Sequence, residues 1–204
     1  MAISVRHPIK AKIDDSYHFI KDLLSEHLAF LNKWELSTRK EFESYAKAEE
    51  DPEIRYTISS QYSTVFDDAD YRKNLLLQAI LIISYSYFES CLDLILKDLG
   101  NSISRDKIPT IYSQRGIVMS EEETTAIEFM EEIRELRNDI CHNNEGTYKR
   151  PELLKKLSKE WDGVNFDRML TISKPDIVLE ALDKSYLLLN RICEILDYKT
   201  IQIK

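Results

Sequence analysis

Apolar residues recur at steps of three and four along most of this chain, the spacing that lays one stripe along a helix. Tyr17, Ile20, Leu24, Leu28, Leu31 and Trp34 make one such stripe, which Phe42 and Tyr45 extend. It predicts a helix over 13–50 that Asp51-Pro52 ends. Residues 53–69 are rich in Ser, Thr, Tyr and Asp and read as a connecting loop with a short helix inside it. A second helix is predicted over 71–99, stopped by Gly100. From Leu75 to Ile83 it has almost no polar face, so it should be buried on all sides. That suits the middle helix of a bundle, or one passing through a dimer interface. A buried strand competes for this short run, but the surrounding pattern is too long for one.

Residues 100–119 read as a loop containing Pro109 and Gly116. Ser120-Glu121-Glu122-Glu123 is a capping box that opens the next helix. Its stripe is Ala126, Phe129, Ile133, Leu136 and Ile140, and Asn144-Glu145-Gly146 stops it. A short helix over 151–161 starts on Pro151 and is followed by a loop to 172. Ser173-Lys174-Pro175-Asp176 opens a last helix with the stripe Val178, Ala181, Leu182, Leu188, Leu189, Ile192 and Ile195. Residues 1–12 read as a tail or a short edge piece, and 198–204, which alternate weakly, as a tail. The expected fold is all-α: one domain over 1–204, with an N-terminal helical extension over 1–60 and a bundle core over 70–197. Four to five main helices are expected, with a short extra one after the helix that starts at Ser120.

Composition agrees, with 31% charged residues against only 4 Gly and 5 Pro in 204 residues. Three Cys, an odd number at unrelated spacings, argue against a disulfide framework, and Cys91 and Cys193 fall in apolar helical patterns. The N-terminus has no apolar h-region, and the run from Leu75 to Ile83 is short for a bilayer. A soluble, cytoplasmic protein that does not engage a membrane is the expectation. The net charge of −8 opposes broad electrostatic binding to nucleic acid. Charge is uneven, however. Residues 121–146 hold nine acids against two Arg, while Lys149 and Arg150 open a basic segment and Arg115 belongs to another. These two segments flank the acidic helix in sequence and offer phosphate contacts or ordinary solvated loops.

The chemistry is concentrated in Arg137-Asn138-Asp139-Ile140-Cys141-His142. At about 100° per residue, Arg137 lies roughly 60° from the centre of its helix's apolar stripe and His142 about 160° from it. Asn138 and His142 are one turn apart. Such an outward trio is either a solvated surface or a phosphate-handling site. Arg grips phosphate oxygens bidentately, and histidine exchanges protons near neutral pH. A metal site is disfavoured, because Cys141 and His142 diverge around the helix and no ligand pair at metal spacing completes a set. His18 and His27 are likewise unpaired at such spacing and read as packing or surface residues. Glu89, on the last polar window of the second helix, reads either as an exposed acid or as a carboxylate that orients Arg137.

The run Leu136-Arg137-Asn138-Asp139-Ile140-Cys141-His142 resembles the R-x4-6-H signature of the HEPN superfamily, including its usual polar residue after the Arg. Ser84-Tyr85-Ser86-Tyr87-Phe88-Glu89 resembles that family's second helix. The resemblance covers roughly 70–197 and implies a helical bundle. It also implies a metal-independent, cofactor-free endoribonuclease of the kind found in bacterial toxin–antitoxin and anti-phage systems, working as a homodimer with one composite cleft. Arg137 would bind the scissile phosphate, His142 would be the acid/base group, and Asn138 would orient them. A regulatory partner protein is implied as well. A toxin subgroup carries a modified Tyr two residues after the His, but Asn144 stands here, so that control is not implied. A HEPN-like module that binds RNA, nucleotide or protein without cutting is the alternative. A partner-binding scaffold and a metal-dependent hydrolase also remain, the latter lacking the inward E-x-x-H clusters it needs.

Overall fold

The computed structural model describes residues 3–100, 107–142, 148–167, 169–198 and 200–203. Among them are six helices and two small antiparallel pairs of strands, so the fold is all-α as expected. The long helices are α1 (Pro8–Ala48), α2 (Pro52–Asp98), α4 (Glu121–His142) and α6 (Asp176–Ile195). Two short ones, α3 (Lys107–Gln114) and α5 (Pro151–Glu160), fill the gaps. One apolar core joins all six. Its centre is α2, whose Leu77, Leu81, Phe88, Cys91 and Ile95 are buried. Against them pack Ile13, Tyr17, Ile20 and Leu24 of α1, Ile133 and Leu136 of α4, and Val178, Leu182, Leu189 and Ile192 of α6.

The expected loop over 53–69 is instead the first third of α2. Asp51 caps it by accepting from the Glu53 amide at 2.8 Å, and Pro52 takes the first helical position. The Ser and Thr residues that suggested a loop bond back to the preceding turn. Thr57, Ser59 and Thr64 donate to the carbonyls of Glu53, Arg55 and Ser60 at 3.0, 3.0 and 3.3 Å. Ile58, Tyr62, Val65, Phe66 and Ala69 meanwhile keep helical spacing and pack toward α1, with Tyr62 on Phe42 and the Arg39 guanidinium over Phe66. The outer parts of α1 and α2 thus form a helical hairpin whose seam is only half-buried.

The edge-piece reading holds for the N-terminus, while the C-terminal tail and two loops are corrected. β1 (Ile3–Arg6) and β4 (Thr200–Ile203) pair antiparallel, Ile3 opposite Ile203. The loop after α5 contains a hairpin of β2 (Val164–Phe166) and β3 (Leu170–Ile172), tied to α2 where Asn74 accepts from the Ile172 amide at 2.7 Å. The loop over 100–119 holds α3. The expected stop of α4 at 144–146 lies outside the described residues, as does Arg105 in the basic segment before α4.

The capping box at the start of α4 has a second use. Glu123 returns to the Ser120 amide at 2.6 Å, and the Glu123 amide bonds the Ser120 hydroxyl at 3.2 Å. Its carboxylate also accepts from Tyr112 Oη and Arg191 Nε, both at 2.9 Å, which locks α3 and α6 to α4. Burial raises the Glu123 pKa, but the bonds from Ser120, Tyr112 and Arg191 outweigh it, so the group sits below the ordinary glutamate value. A depressed carboxylate stabilises the fold above its unfolded pKa and loses that contribution as pH falls through the folded one. Glu123→Ala should therefore cost about 2–3 kcal/mol at neutral pH in urea unfolding. The deficit should shrink toward pH 3, and a deficit independent of pH would contradict the assignment.

Cys91 and Cys193 are buried core residues, and burial pushes both thiols up to about 11. Cys141 is exposed. A thiol reagent at pH 8 should titrate one cysteine in the folded protein and three in denaturant. Rapid labelling of two or more in the folded state would overturn this packing.

Candidate functional site

Near its C-terminal end α4 lies across α2, and the face between them carries the polar cluster. The buried stripe of α4 is Ala126, Met130, Ile133, Leu136 and Asp139, slightly rotated from the expected one, with Phe129 and Ile140 half-buried at its flank. Arg137 borders this stripe, and its side chain is 26% exposed. Its Nη2 meets Glu89 Oε2 at 3.3 Å, and its Nη1 donates to Asn138 Oδ1 at 2.8 Å. The guanidinium centre lies 5.6 Å from the Tyr85 ring centroid. Arg137 Nε is buried without a hydrogen-bond partner. The guanidinium is therefore clamped between a carboxylate, an amide oxygen and an aromatic face, and ordered before any ligand arrives.

His142 is exposed at the last position of α4. Residues five apart on a helix diverge by about 140°. Arg137 consequently turns toward α2 while His142 turns outward, and Asn138 stands between them, about 40° from His142. The structure thus brings Arg137, Asn138 and Glu89 into direct contact and sets His142 one turn beyond Asn138.

The basic residues divide. Arg150 lies beside the same end of α4: its Nη2 is 2.9 Å from Glu135 Oε2, and its amide donates to Asp139 Oδ2 at 3.1 Å. Lys149 is exposed next to it. Arg115 precedes the opposite end of α4. Twenty-two helical residues separate the two ends, about 33 Å, so within one chain Arg115 does not join the cluster.

Sequence reasoning missed two contributors. Asp139 seats the first turn of α5 against α4, and its buried position could be read only as one more surface acid in an acidic helix. Tyr85 supplies the ring under Arg137 but was hidden in an apolar run. Burial, with the acids Glu89 and Glu131 nearby, raises the Tyr85 pKa above the ordinary tyrosine value, so this wall stays a neutral phenol. Among the described residues no group of three or more His, Cys, Asp and Glu is placed to hold a metal ion.

No family model, curated protein or solved structure matches this chain.

Proposed function

We propose that this protein is a metal-independent endoribonuclease of the HEPN type, working as a homodimer in bacterial defence or as a toxin. The observation that carries the reading is the ordered Arg137 guanidinium, held by Glu89 and Asn138 one to two turns before the exposed His142 that ends the same helix. Neutral His142 takes the proton from a ribose 2′-OH, and the freed oxygen attacks the adjacent phosphorus. Arg137 stabilises the charge that builds on the phosphoryl oxygens. The bond to the 5′-oxygen breaks as a second histidine protonates the leaving group, giving a 2′,3′-cyclic phosphate and a 5′-OH. Asn138 orients the pair, Glu89 fixes the arginine, and Lys149 and Arg150 hold flanking phosphates.

Two features support a dimer. The divergence of Arg137 and His142 leaves a single chain with half a cleft, which a second copy across a two-fold axis completes. The apolar run of α2 is also not covered on all sides within one chain. Tyr71, Leu75 and Ile83 are 55%, 46% and 42% exposed, and with the exposed Ala79 they follow one another at four-residue steps. Leu75 and Ile83 flank Ala79 symmetrically, so an antiparallel α2–α2 pair crossing at Ala79 sets each leucine against the partner's isoleucine.

A second reading, a module that binds RNA, nucleotide or protein without cutting, is favoured by the net charge of −8 and by the pairing of Arg137 with Glu89. Cleavage of an RNA oligonucleotide, set against copies carrying single 2′-deoxy substitutions, separates the two. The enzyme reading predicts scission that each 2′-deoxy sugar blocks at its own linkage. Intact RNA under every condition, with RNA still bound, favours the module.

A further inference from the structure

The buried residues of α1 end at Leu24, and those of α2 begin at Ala69. Beyond Leu24, α1 runs on for about 36 Å to Ala48 before α2 returns. The hairpin is therefore an arm that carries the chain away from its own core. At its tip lies an apolar cleft of about 390 Å³, within the range of ligand sites, about 300–1,000 Å³. Phe42, Tyr45, Ala48 and Ile58 line it together with Glu49 and Gln61. Large apolar side chains also stand in solvent on this part of the arm: Tyr56, Tyr45 and Ile54 are 77%, 58% and 49% exposed.

The tip is strongly negative as well. Residues 41–55 hold six acids against Lys47 and Arg55, which is half of the chain's net charge of −8. None of the ion pairs among the described residues involves this stretch. The nearest along the chain are Arg39 with Glu35 and Arg72 with Asp68. Glu41, Glu49 and Asp51 accept from neutral donors, Tyr45 Oη at 3.3 Å and the amides of Asp51 and Glu53 at 2.9 and 2.8 Å. The Arg55 guanidinium turns to the Glu49 carbonyl, its Nε at 3.2 Å, rather than to a carboxylate.

Charge decides what fills such a cleft. RNA and the tip of a second copy are both negative and are repelled. A segment rich in lysine and arginine is attracted, its cations gain contacts over the exposed tyrosine rings, and its apolar side chains enter the cleft. We infer that the arm tip docks a basic, amphipathic segment of another protein. Along α2 the tip at Pro52 is about 55 Å from Glu89, so an occupied tip leaves the Arg137 cluster open. The arm thus tethers a partner without blocking the site, and this holds whether or not the protein cuts RNA.

Fluorescence anisotropy with a labelled synthetic helix, lysines along one face and leucines along the other, tests it. A copy with glutamate for every lysine is the counter-probe, and about 0.15 M salt screens long-range attraction. The lysine helix should bind and the glutamate copy should not. Tyr45→Ala should weaken binding by about tenfold or more, the effect of losing an aromatic anchor. Glu43→Gln, Glu49→Gln and Glu50→Gln together should do the same. The matched triple Glu121→Gln, Glu122→Gln and Glu128→Gln removes as much charge from exposed positions on α4 and should change nothing. No binding of the lysine helix, equal losses in the two triples, or binding indifferent to Tyr45→Ala overturns the docking site. So does sedimentation in which the tip triple changes the oligomeric state, which would give the cleft to a second copy. Cleavage of RNA by a protein that fails these tests sinks this inference alone, and docking by a protein that leaves RNA intact sinks the nuclease reading alone.

Discussion

His142→Ala is expected to lower RNA cleavage by about 10²–10⁴-fold, the contribution of one positioned proton-transfer group. Its thermal midpoint should stay within a degree or two of the wild type. Both halves follow from position. His142 ends α4, its side chain is exposed, and the α4 residues that pack the core are Ala126, Met130, Ile133 and Leu136. Removing the imidazole opens no cavity and orphans no buried partner, the usual causes of large destabilisation. Purified variant should therefore give the same circular dichroism and unfolding curve with almost no cleavage. An unfolded variant would sink the geometry, and full activity would remove His142 from the chemistry.

Ala79→Arg is expected to convert a dimer to a monomer and to abolish cleavage, although it lies outside the Arg137 cluster. In the proposed pairing Ala79 sits at the crossing point, where two arginines related by the two-fold would meet. Like charges set together in an interface cost several kcal/mol. Within the monomer the substitution is benign, because Ala79 is exposed and arginine is a good helix former. Ala48→Arg, at the exposed end of α1, is the matched control and should change neither property. Sedimentation with cleavage on the same samples reads the outcome. A variant that stays dimeric would displace the interface, and an active monomer would show that one chain carries the whole site.

Much of this was legible in the sequence where neighbours along the chain are also neighbours in space. The capping box at Ser120–Glu123, the start of α5 on Pro151 and the stripe of α6 are local patterns, and the structure repeats them. The approach of Glu89 to Arg137 was one of two readings open for that acid, and the structure places the two side chains 3.3 Å apart. What escaped is non-local or masked. The β1–β4 pair joins the two ends of the chain, and nothing local reports a partner so distant. The start of α2 looked like a loop because its Ser and Thr residues could as well have bonded a turn, and the α1 seam that favours the helix is a tertiary fact. Arg115 was grouped with the site because it flanks α4 in sequence, but the length of α4 carries it away.

The central claim is that Arg137 and His142 cut RNA without a metal. It is tested most directly by incubating purified protein with a mixed RNA pool in EDTA beside His142→Ala, and analysing the ends. The account predicts fragments with 2′,3′-cyclic phosphate and 5′-OH termini from the wild type alone. Intact RNA with both proteins, cleavage that EDTA stops, or cleavage that survives His142→Ala would contradict it.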